Sequence, residues 1–405
     1  MWVSNQEKSS FVACLSVAAL ALPGLMQTAQ AGRVEESYNA DFQYGHYSES
    51  SSRIDVNTYE AALSAPIGKS MTGSVALVKD VVAGASPKNN ALVNGEIKQV
   101  ISGASQKALT SECGKSICDS RDGIAPSITY FFDSGSVNLN GGFSRENDYT
   151  SRYVGTAFSK DFNKKLTMAN FSASVAFDEI DPTDRPALKG SKTTQQYLLG
   201  FSQVINKDSL MLSNVTFAYS SGYLSDPYKM VNFYDGGLYV DSRPDTRPRD
   251  KFQFAWLTQY IRHFGDFNDA ALHVDYRFST DSWGVNAHTA EISWHQPVGD
   301  GWQIIPRVRY YSQDQADFYQ AVGNGDALQK GVYSSDYRLA GFGAVTAGIH
   351  VSKEIVGLTP LTHLKFQLGG EYYNHSAGLQ LGGNNASNFA DFNYFLITGS
   401  FNLKF

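Results

Sequence analysis

The sequence predicts a transmembrane antiparallel up-and-down β-barrel, and three observations carry this prediction. Apolar side chains recur at every second position in stretches of about ten residues, the length that a tilted strand needs to cross a bilayer. Short turns alternate with long polar connections along the chain. The 405 residues include 23 Tyr, 25 Phe and 36 Gly, which favour strands and turns, and no apolar stretch approaches the roughly eighteen residues of a spanning helix.

Residues 1–31 have the features of a secretory signal peptide. Lys8 precedes an apolar run over 11–26, and a small-x-small cleavage pattern ends at Ala31. The apolar run contains Pro and Gly and is too short for a stable spanning helix. We expect cleavage after Ala31, so that 32–405 form a single barrel domain.

The alternation supports about sixteen strands, an even number as in single-chain bacterial barrels. It is clearest in the groups 38–44, 75–77, 154–158, 171–177, 197–201, 215–219, 252–260, 272–276, 308–310 and 337–349. Residues 125–143 are ambiguous, because they fit either two strands or one bent strand, and about fourteen strands is therefore the alternative count.

The connections between these strands fall into two classes. Short ones occur at 162–165, 206–208, 265–268 and 297–301, and long polar ones at 84–123, 178–192, 224–250, 312–335 and 375–388. Outer-membrane barrels have short periplasmic turns and long external loops. The pattern therefore predicts that the protein lies in the outer membrane of a Gram-negative bacterium. Closure of the sheet into a barrel would leave no unpaired edge in lipid.

Two cysteines remain after removal of the signal peptide. Cys113 and Cys118 are separated by four residues in a polar loop of a chain that crosses an oxidising compartment, and we expect a structural disulfide between them. A metal site is the alternative, but no His or further Cys lies nearby. No phosphate loop, zinc motif or calcium loop occurs in the sequence, so no cofactor is expected.

Several longer stretches resemble one protein family. They are, in order, GASP (84–87), FSRENDYTS (143–151), SGYLSDPYK (221–229), RPDTR (243–247), YR (276–277), DSWG (281–284), HT (288–289), PRVRYYSQDQADFY (306–319) and SSDYRLAGFG (334–343). Together they resemble the DUF3570 family of bacterial outer-membrane β-barrels of unknown function. The resemblance covers most of the mature chain, and it implies the fold and the location but no activity.

One loop departs from the family pattern through a partial duplication. VVAGASPKNNAL at 81–92 is echoed by VISGASQKAL at 100–109. Either the copy containing Gly84 or the copy containing Gly103 corresponds to the family motif.

Charged residues that are out of phase with the apolar face predict the lining of the lumen. These are Asp275, Arg277, Arg307, Arg309 and Arg338. A ladder of arginines would attract anions or set ion selectivity. Alternatively, the charges pair across strands and brace the wall. The two interpretations are compatible.

The long connection at 224–250 carries a second group of candidate site residues. They are Asp226, Tyr228, Lys229, Arg243 and Arg247. The loop either folds inward and narrows the pore or forms an exposed surface for a partner or ligand. Its prolines and paired charges favour the inward arrangement.

Two His-Ser pairs have the spacing of a base and a nucleophile on one strand face. They are His46 with Ser48 and His350 with Ser352, and neither pair has an evident Asn or Asp to orient the histidine. We therefore expect no enzymatic activity, and a membrane-embedded lipid hydrolase is the least favoured alternative.

The function that the sequence favours is a channel or porin-like transporter for a small solute. A net charge of −6 and a pI near 5.8 argue against a nucleic-acid partner. The alternative is a non-transporting barrel that acts in surface interaction, export or assembly. The expected partners are outer-membrane lipid, lipopolysaccharide and the β-barrel assembly machinery, and the oligomeric state stays undetermined.

The last residues alternate in the same way as the strands. Phe401, Leu403 and Phe405 are separated by polar residues and should face the lipid. A terminal aromatic residue preceded by apolar residues at alternate positions resembles the signal read by the assembly machinery. The alternative is that Phe405 only belongs to the aromatic girdle at the membrane interface.

Overall fold

A computed structural model describes residues 37–50, 54–84, 86–93, 96–102, 118–183, 185–357, 360–383 and 391–405. Sixteen strands form one closed barrel, which confirms the predicted fold class at the higher strand count. The barrel strands are β1 (Asn39–Glu49), β2 (Ile54–Ile67), β3 (Met71–Gly84), β6 (Cys118–Phe132), β7 (Gly135–Arg145), β8 (Tyr149–Phe162), β9 (Thr167–Ile180), β10 (Gly190–Asn206), β11 (Ser209–Gly222), β14 (Asp250–Phe264), β15 (Ala270–Asp281), β16 (Asn286–Gly299), β17 (Trp302–Gln313), β18 (Phe342–Val356), β19 (His363–Ser376) and β20 (Phe392–Lys404). Two hairpins lie outside the barrel and consist of β4 (Ser86–Val93) with β5 (Glu96–Ser102) and β12 (Met230–Asp235) with β13 (Leu238–Pro244).

The sheet closes between its first and last strands. β1 pairs antiparallel with β20 from Asn39 opposite Lys404 to Glu49 opposite Tyr394. Each of the other barrel strands pairs with its neighbour around the ring, so no barrel edge is left unpaired. Sixteen tilted strands at ordinary spacing give a backbone diameter of about 30 Å.

The two faces of the wall differ in chemistry. The outward face is apolar and exposed, for example at Leu77, Val154, Leu199, Ile292 and Ile397, each between 48% and 58% exposed. A continuous exposed apolar surface of this kind requires lipid against it. The inward-facing residues of β6 to β11 are small and mostly uncharged, and many are Ser, Thr, Asn or Gly. No helix among the described residues is long and apolar enough to span a bilayer.

One end of the barrel, the turn end, has only short connections. They occupy 68–70, 133–134, 163–166, 207–208, 265–269, 300–301 and 357–362. Several turn residues have positive φ, among them Asn163, Asn268 and Asp300, and Asn and Asp tolerate this conformation well. At Gly301 (φ 75°) a Cβ would collide with the Glu354 carbonyl, so this turn requires glycine.

The opposite end, the loop end, contains all five long connections that the sequence predicts. Three further connections at this end are short, at 50–53, 146–148 and 282–285, so long and short do not alternate strictly. The connection at 282–285 is short because of a local side-chain contact. Asp281 Oδ1 accepts hydrogen bonds from the backbone N–H groups of Trp283 (2.9 Å) and Val285 (3.1 Å) and closes a tight turn.

The remaining expectations from the sequence compare with the structure as follows. Residues 125–143 form two strands, β6 and β7. Residues 337–349 were expected in one strand, but β18 begins only at Phe342. The signal peptide, Cys113, the Cys118 side chain and the motif copy at Gly103 lie outside the described residues.

Candidate functional site

Four of the charges predicted to line the lumen lie on the inner face of nearby strands. Asp275 and Arg277 belong to β15, and Arg307 and Arg309 belong to β17. Between them, Glu291 of β16 is opposite both Asp275 and Arg309. The residues that alternate with them along each strand face outward, because successive side chains of a strand point to opposite faces.

Arg307 and Arg309 are neutralised by carboxylates on the adjoining strand β16 and on β19, two strands away. Arg307 donates to Glu371 of β19 and to Glu291, both at 2.9 Å, and Arg309 donates to Glu291 at 2.5 Å. His350 Nε2 lies 3.0 Å from the same Glu371 oxygen. Arg307 and Glu371 are each only 6% exposed. These two arginines therefore take part in bracing the wall.

Arg277 has a different environment. It has no ion pair among the described residues, and its side chain is exposed on the inner face. It faces Thr289 and then Tyr311 on the adjoining strands. Asp275, two residues away, binds Gln259 through one oxygen at 3.0 Å, and its other oxygen is buried. Arg277 is therefore the accessible charge in this part of the wall.

Arg338 does not lie on a wall strand, which corrects the expectation from the alternation. Residues 337–339 form a short 3-10 helix that Asp336 caps by accepting a hydrogen bond from Arg338 N at 3.1 Å. The Arg338 guanidinium turns back to Asp336, with Nε 2.9 Å from both carboxylate oxygens, and reaches Asp226 at 2.6 Å. Local capping therefore replaces strand structure here.

Arg338 belongs to a buried cluster that also contains three of the predicted loop residues. We call it the ion network, and its members are Asp226, Lys229, Asp245, Arg247, Asp336 and Arg338. Arg247 bridges Asp245 at 2.7 Å and Asp336 at 2.8 Å. Lys229 is 6% exposed, and its ammonium lies 5.6 Å from the centre of the Tyr337 ring. Three carboxylates face three cations, so the charges of the network balance.

Burial and the neighbouring opposite charges act in opposite directions on the pKa values in the ion network, and the balance differs between its members. For Asp336, burial raises the pKa, but the three network cations together hold that pKa well below the usual range of an aspartate. Burial lowers the pKa of Lys229 and raises the pKa of Asp245 despite the opposite charges beside them. Loss of one member would leave buried charges uncompensated, so the network is stable only as a set.

The other two predicted loop residues lie outside the ion network. The Tyr228 hydroxyl donates to Asp148 in the β7–β8 turn, and burial together with this carboxylate raises the pKa of Tyr228. Arg243 pairs with Asp241 at 2.8 Å, and both side chains are about half exposed. Exposed ion pairs of this kind contribute little stability.

Residues 334–341, which we call the inner segment, lie on the lumen side of the wall. The Tyr337 ring is 5.5 Å from Phe392 and 6.0 Å from His375, edge-on to both, and these two residues belong to the inner faces of β20 and β19. Gln313, at the end of β17, donates to two carbonyls of the segment at 3.0 and 2.7 Å. The inner segment therefore narrows the lumen at the loop end.

The two histidine and serine pairs have different surroundings in this structure. His46 and Ser48 lie on the outward face of β1, and His46 Nδ1 lies 2.9 Å from Asn57 Oδ1 on the adjoining strand β2. This contact corrects the expectation that no Asn or Asp orients His46. Both ring nitrogens of His350 lie within 3.0 Å of side chains of β19, so neither is directed at Ser352. Within the described ranges, no group of three or more His, Cys, Asp or Glu side chains could hold a metal ion.

The last strand forms one side of the closing seam. Phe401 and Phe405 are 52% and 47% exposed on the outward face, and Leu403 belongs to the same row. The backbone N–H of Phe405 donates to the Tyr38 carbonyl at 3.0 Å. The chain end is thus held against the first strand, and its role as an assembly signal stays a prediction.

Comparison with protein families gives one match over nearly the whole chain. The model of DUF3570, described as a protein of unknown function, matches residues 12–396. The chain belongs to the DUF3570 family. No curated protein matches the sequence of this DUF3570 protein.

Solved outer-membrane proteins share the barrel architecture at very low sequence identity. A bacterial polysaccharide outer membrane secretin is 6% identical, with 92% of this chain and 99% of that chain covered and a TM-score of 0.48. CdiB from Acinetobacter baumannii is 8% identical, with 92% and 60% covered and a TM-score of 0.49. The outer membrane protein opdK from Pseudomonas aeruginosa is 9% identical, with 91% and 99% covered and a TM-score of 0.40. The barrel fold of the DUF3570 protein is established by its own closed sheet of sixteen strands.

In the DUF3570 protein, three sequence motifs that carry the family resemblance meet in the ion network. They are SGYLSDPYK (221–229), RPDTR (243–247) and SSDYRLAGFG (334–343). Asp245 and Asp336, which sequence reasoning did not select, lie inside these motifs, and their presence there was the available signal. Glu291 and Glu371 had no such signal except their alternation with apolar neighbours.

Proposed function

We propose that this DUF3570 protein is an outer-membrane channel for small anionic solutes. The observation that carries the proposal is Arg277, an accessible guanidinium on the inner wall with no ion pair among the described residues. A wall of sixteen strands encloses enough width for water and a small solute. A fixed accessible cation in such a passage attracts anions and raises their local concentration.

The neighbouring charges support the same assignment. Arg307 and Arg309 are compensated by Glu291 and Glu371, so they contribute little net field to the lumen. Asp275 is half-buried and bound to Gln259, which leaves its charge less accessible than that of Arg277. A solute that passes this part of the wall therefore meets the positive charge of Arg277 most directly.

Ion selectivity in planar bilayers tests the proposal. Under a KCl gradient the reversal potential should indicate a preference for chloride, and Arg277→Gln should reduce the chloride-to-potassium permeability ratio about fivefold, the effect of one charge at about 4 Å in water. Arg152→Gln is the matched control, because Arg152 lies on the outward face and pairs with Glu179. Equal ratios in the wild type and Arg277→Gln would contradict the assignment.

One observation favours a second candidate, a surface-interaction protein. The tip of the β12–β13 hairpin exposes three consecutive apolar residues, with Leu238 at 76%, Tyr239 at 59% and Val240 at 58%. Exposed apolar clusters on ordered loops commonly mark binding surfaces. Replacement of all three by Ser should abolish such an interaction. The same replacement should leave the conductance of a channel unchanged.

A further inference from the structure

Loop 223–249 contacts four other connections at the mouth of the barrel. Besides Asp336, loop 223–249 contacts Asp148 in the β7–β8 turn, Arg185 in the β9–β10 connection and the backbone carbonyl of Asn90 in the β3–β6 connection. These partners emerge at four different places around the ring. A loop that reaches all of them crosses the mouth and does not fold back along its own edge.

The same contacts bring the two sides of the barrel together. Loop 223–249 joins β11 to β14, the ninth and tenth strands around the ring. The inner segment, which the ion network binds to this loop, packs through Tyr337 against a cluster that includes Tyr47 of β1 and Val56 of β2. These strands are first and second in the ring, half a turn away. The loops therefore form a cap over the lumen at the loop end.

The inner segment is the part of this cap that is held mainly by side chains. It contains no barrel strand, and its backbone-to-backbone hydrogen bonds with other described residues join it to its own loop, including Ala316 N to Leu339 O at 2.8 Å and Gln320 N to Ser334 O at 2.9 Å. Its side-chain contacts with the rest of the cap and with the wall come from the ion network, from Tyr337 and from Gln313 of β17. Leu339 and Ala340 also pack in a buried apolar cluster. Glycines at 331 (φ 71°) and 341 bound this region and allow the backbone to turn there.

We propose that the inner segment is a gate that closes the loop end of the lumen and opens when the ion network releases Asp336. The inference rests on the proposed channel function and concerns how that channel is regulated. The network holds the segment only while its members are in place, because loss of one member leaves buried charges uncompensated. Opening moves Tyr337 away from the wall and clears the passage above Arg277.

Two variants should release the gate, each by removing a different contact. Asp336→Asn removes the carboxylate that Arg247 and Arg338 share, and Tyr337→Ala removes the aromatic contact with the wall. Asp241→Asn is the matched control, since Asp241 makes an exposed ion pair in the same loop outside the network. Heat-dependent mobility on a denaturing gel verifies that each variant is a folded barrel.

Amide hydrogen exchange over 334–341 measures release without reference to transport. Loss of one member of a buried ion network should speed exchange of this peptide by at least about a hundredfold in Asp336→Asn. Tyr337→Ala should also speed it, and Asp241→Asn should not. In planar bilayers the wild type should open rarely, and the two release variants should raise the open probability by a similar factor.

The outcomes separate the gate from the channel. Unchanged exchange in folded Asp336→Asn and Tyr337→Ala overturns the gate. Faster exchange with wild-type open probability in a protein that conducts also overturns it, because the segment then moves without controlling passage. Faster exchange without conductance in any variant overturns the channel function and leaves a releasable cap on a barrel with another role.

Discussion

The wall of the barrel offers a direct comparison between a buried and a partly exposed ion pair. Arg307 is 6% exposed and donates to two carboxylates, whereas the Arg309 side chain is 23% exposed and donates to one. Arg307→Met leaves Glu371 buried with only His350 beside it, and removal of one partner of a buried pair costs about 3–5 kcal/mol. Arg309→Met leaves Glu291 bound to Arg307, and the expected cost is about 1 kcal/mol.

Reversible urea unfolding in detergent micelles or lipid vesicles, followed by Trp fluorescence, measures the free energy of unfolding of each variant. The expected difference between Arg307→Met and Arg309→Met is about 2–4 kcal/mol. Addition of Glu371→Gln to Arg307→Met should recover much of the loss, because no uncompensated charge is then left in the wall. Equal costs for the two single variants, or no recovery in the double variant, would refute the assignment of Arg307 as the buried brace.

Three further predictions concern other parts of the molecule. Deletion of Phe405 should prevent assembly in cells if the residue is an assembly signal, whereas an assembled but less stable barrel would identify it as a girdle residue only. Gly343→Ala should destabilise the barrel by about 1–3 kcal/mol, because a Cβ there collides with the Leu379 carbonyl, while Gly370→Ala, with open space around it, should change the unfolding free energy little; equal effects would contradict this packing. A thiol assay on the oxidised mature protein should detect no free thiol if its two cysteines form the predicted disulfide, and two free thiols would exclude it.

Sequence reasoning predicted the wall well, because the direction of a strand side chain depends on backbone geometry alone. The outward row of β20, from Phe395 to Phe405, and the inward direction of Arg277 both follow from period-two alternation. The same reasoning failed at Arg338. The apolar alternation continues through that segment, but the carboxylate of Asp336 caps the backbone there in a 3-10 helix. Alternation alone does not predict such a local cap.

Short-range periodicity and contiguous motifs were sufficient to predict the strands, their faces and the family. Which charges contact one another could be read only from the folded chain. Arg307 and Glu371 are 64 residues apart in the chain, and Asp226 and Arg338 are 112 residues apart. Their contacts depend on closure of the barrel and on loops that cross its mouth. Closure and crossing bring distant motifs together, and burial of the resulting charges makes the ion network stable as a set.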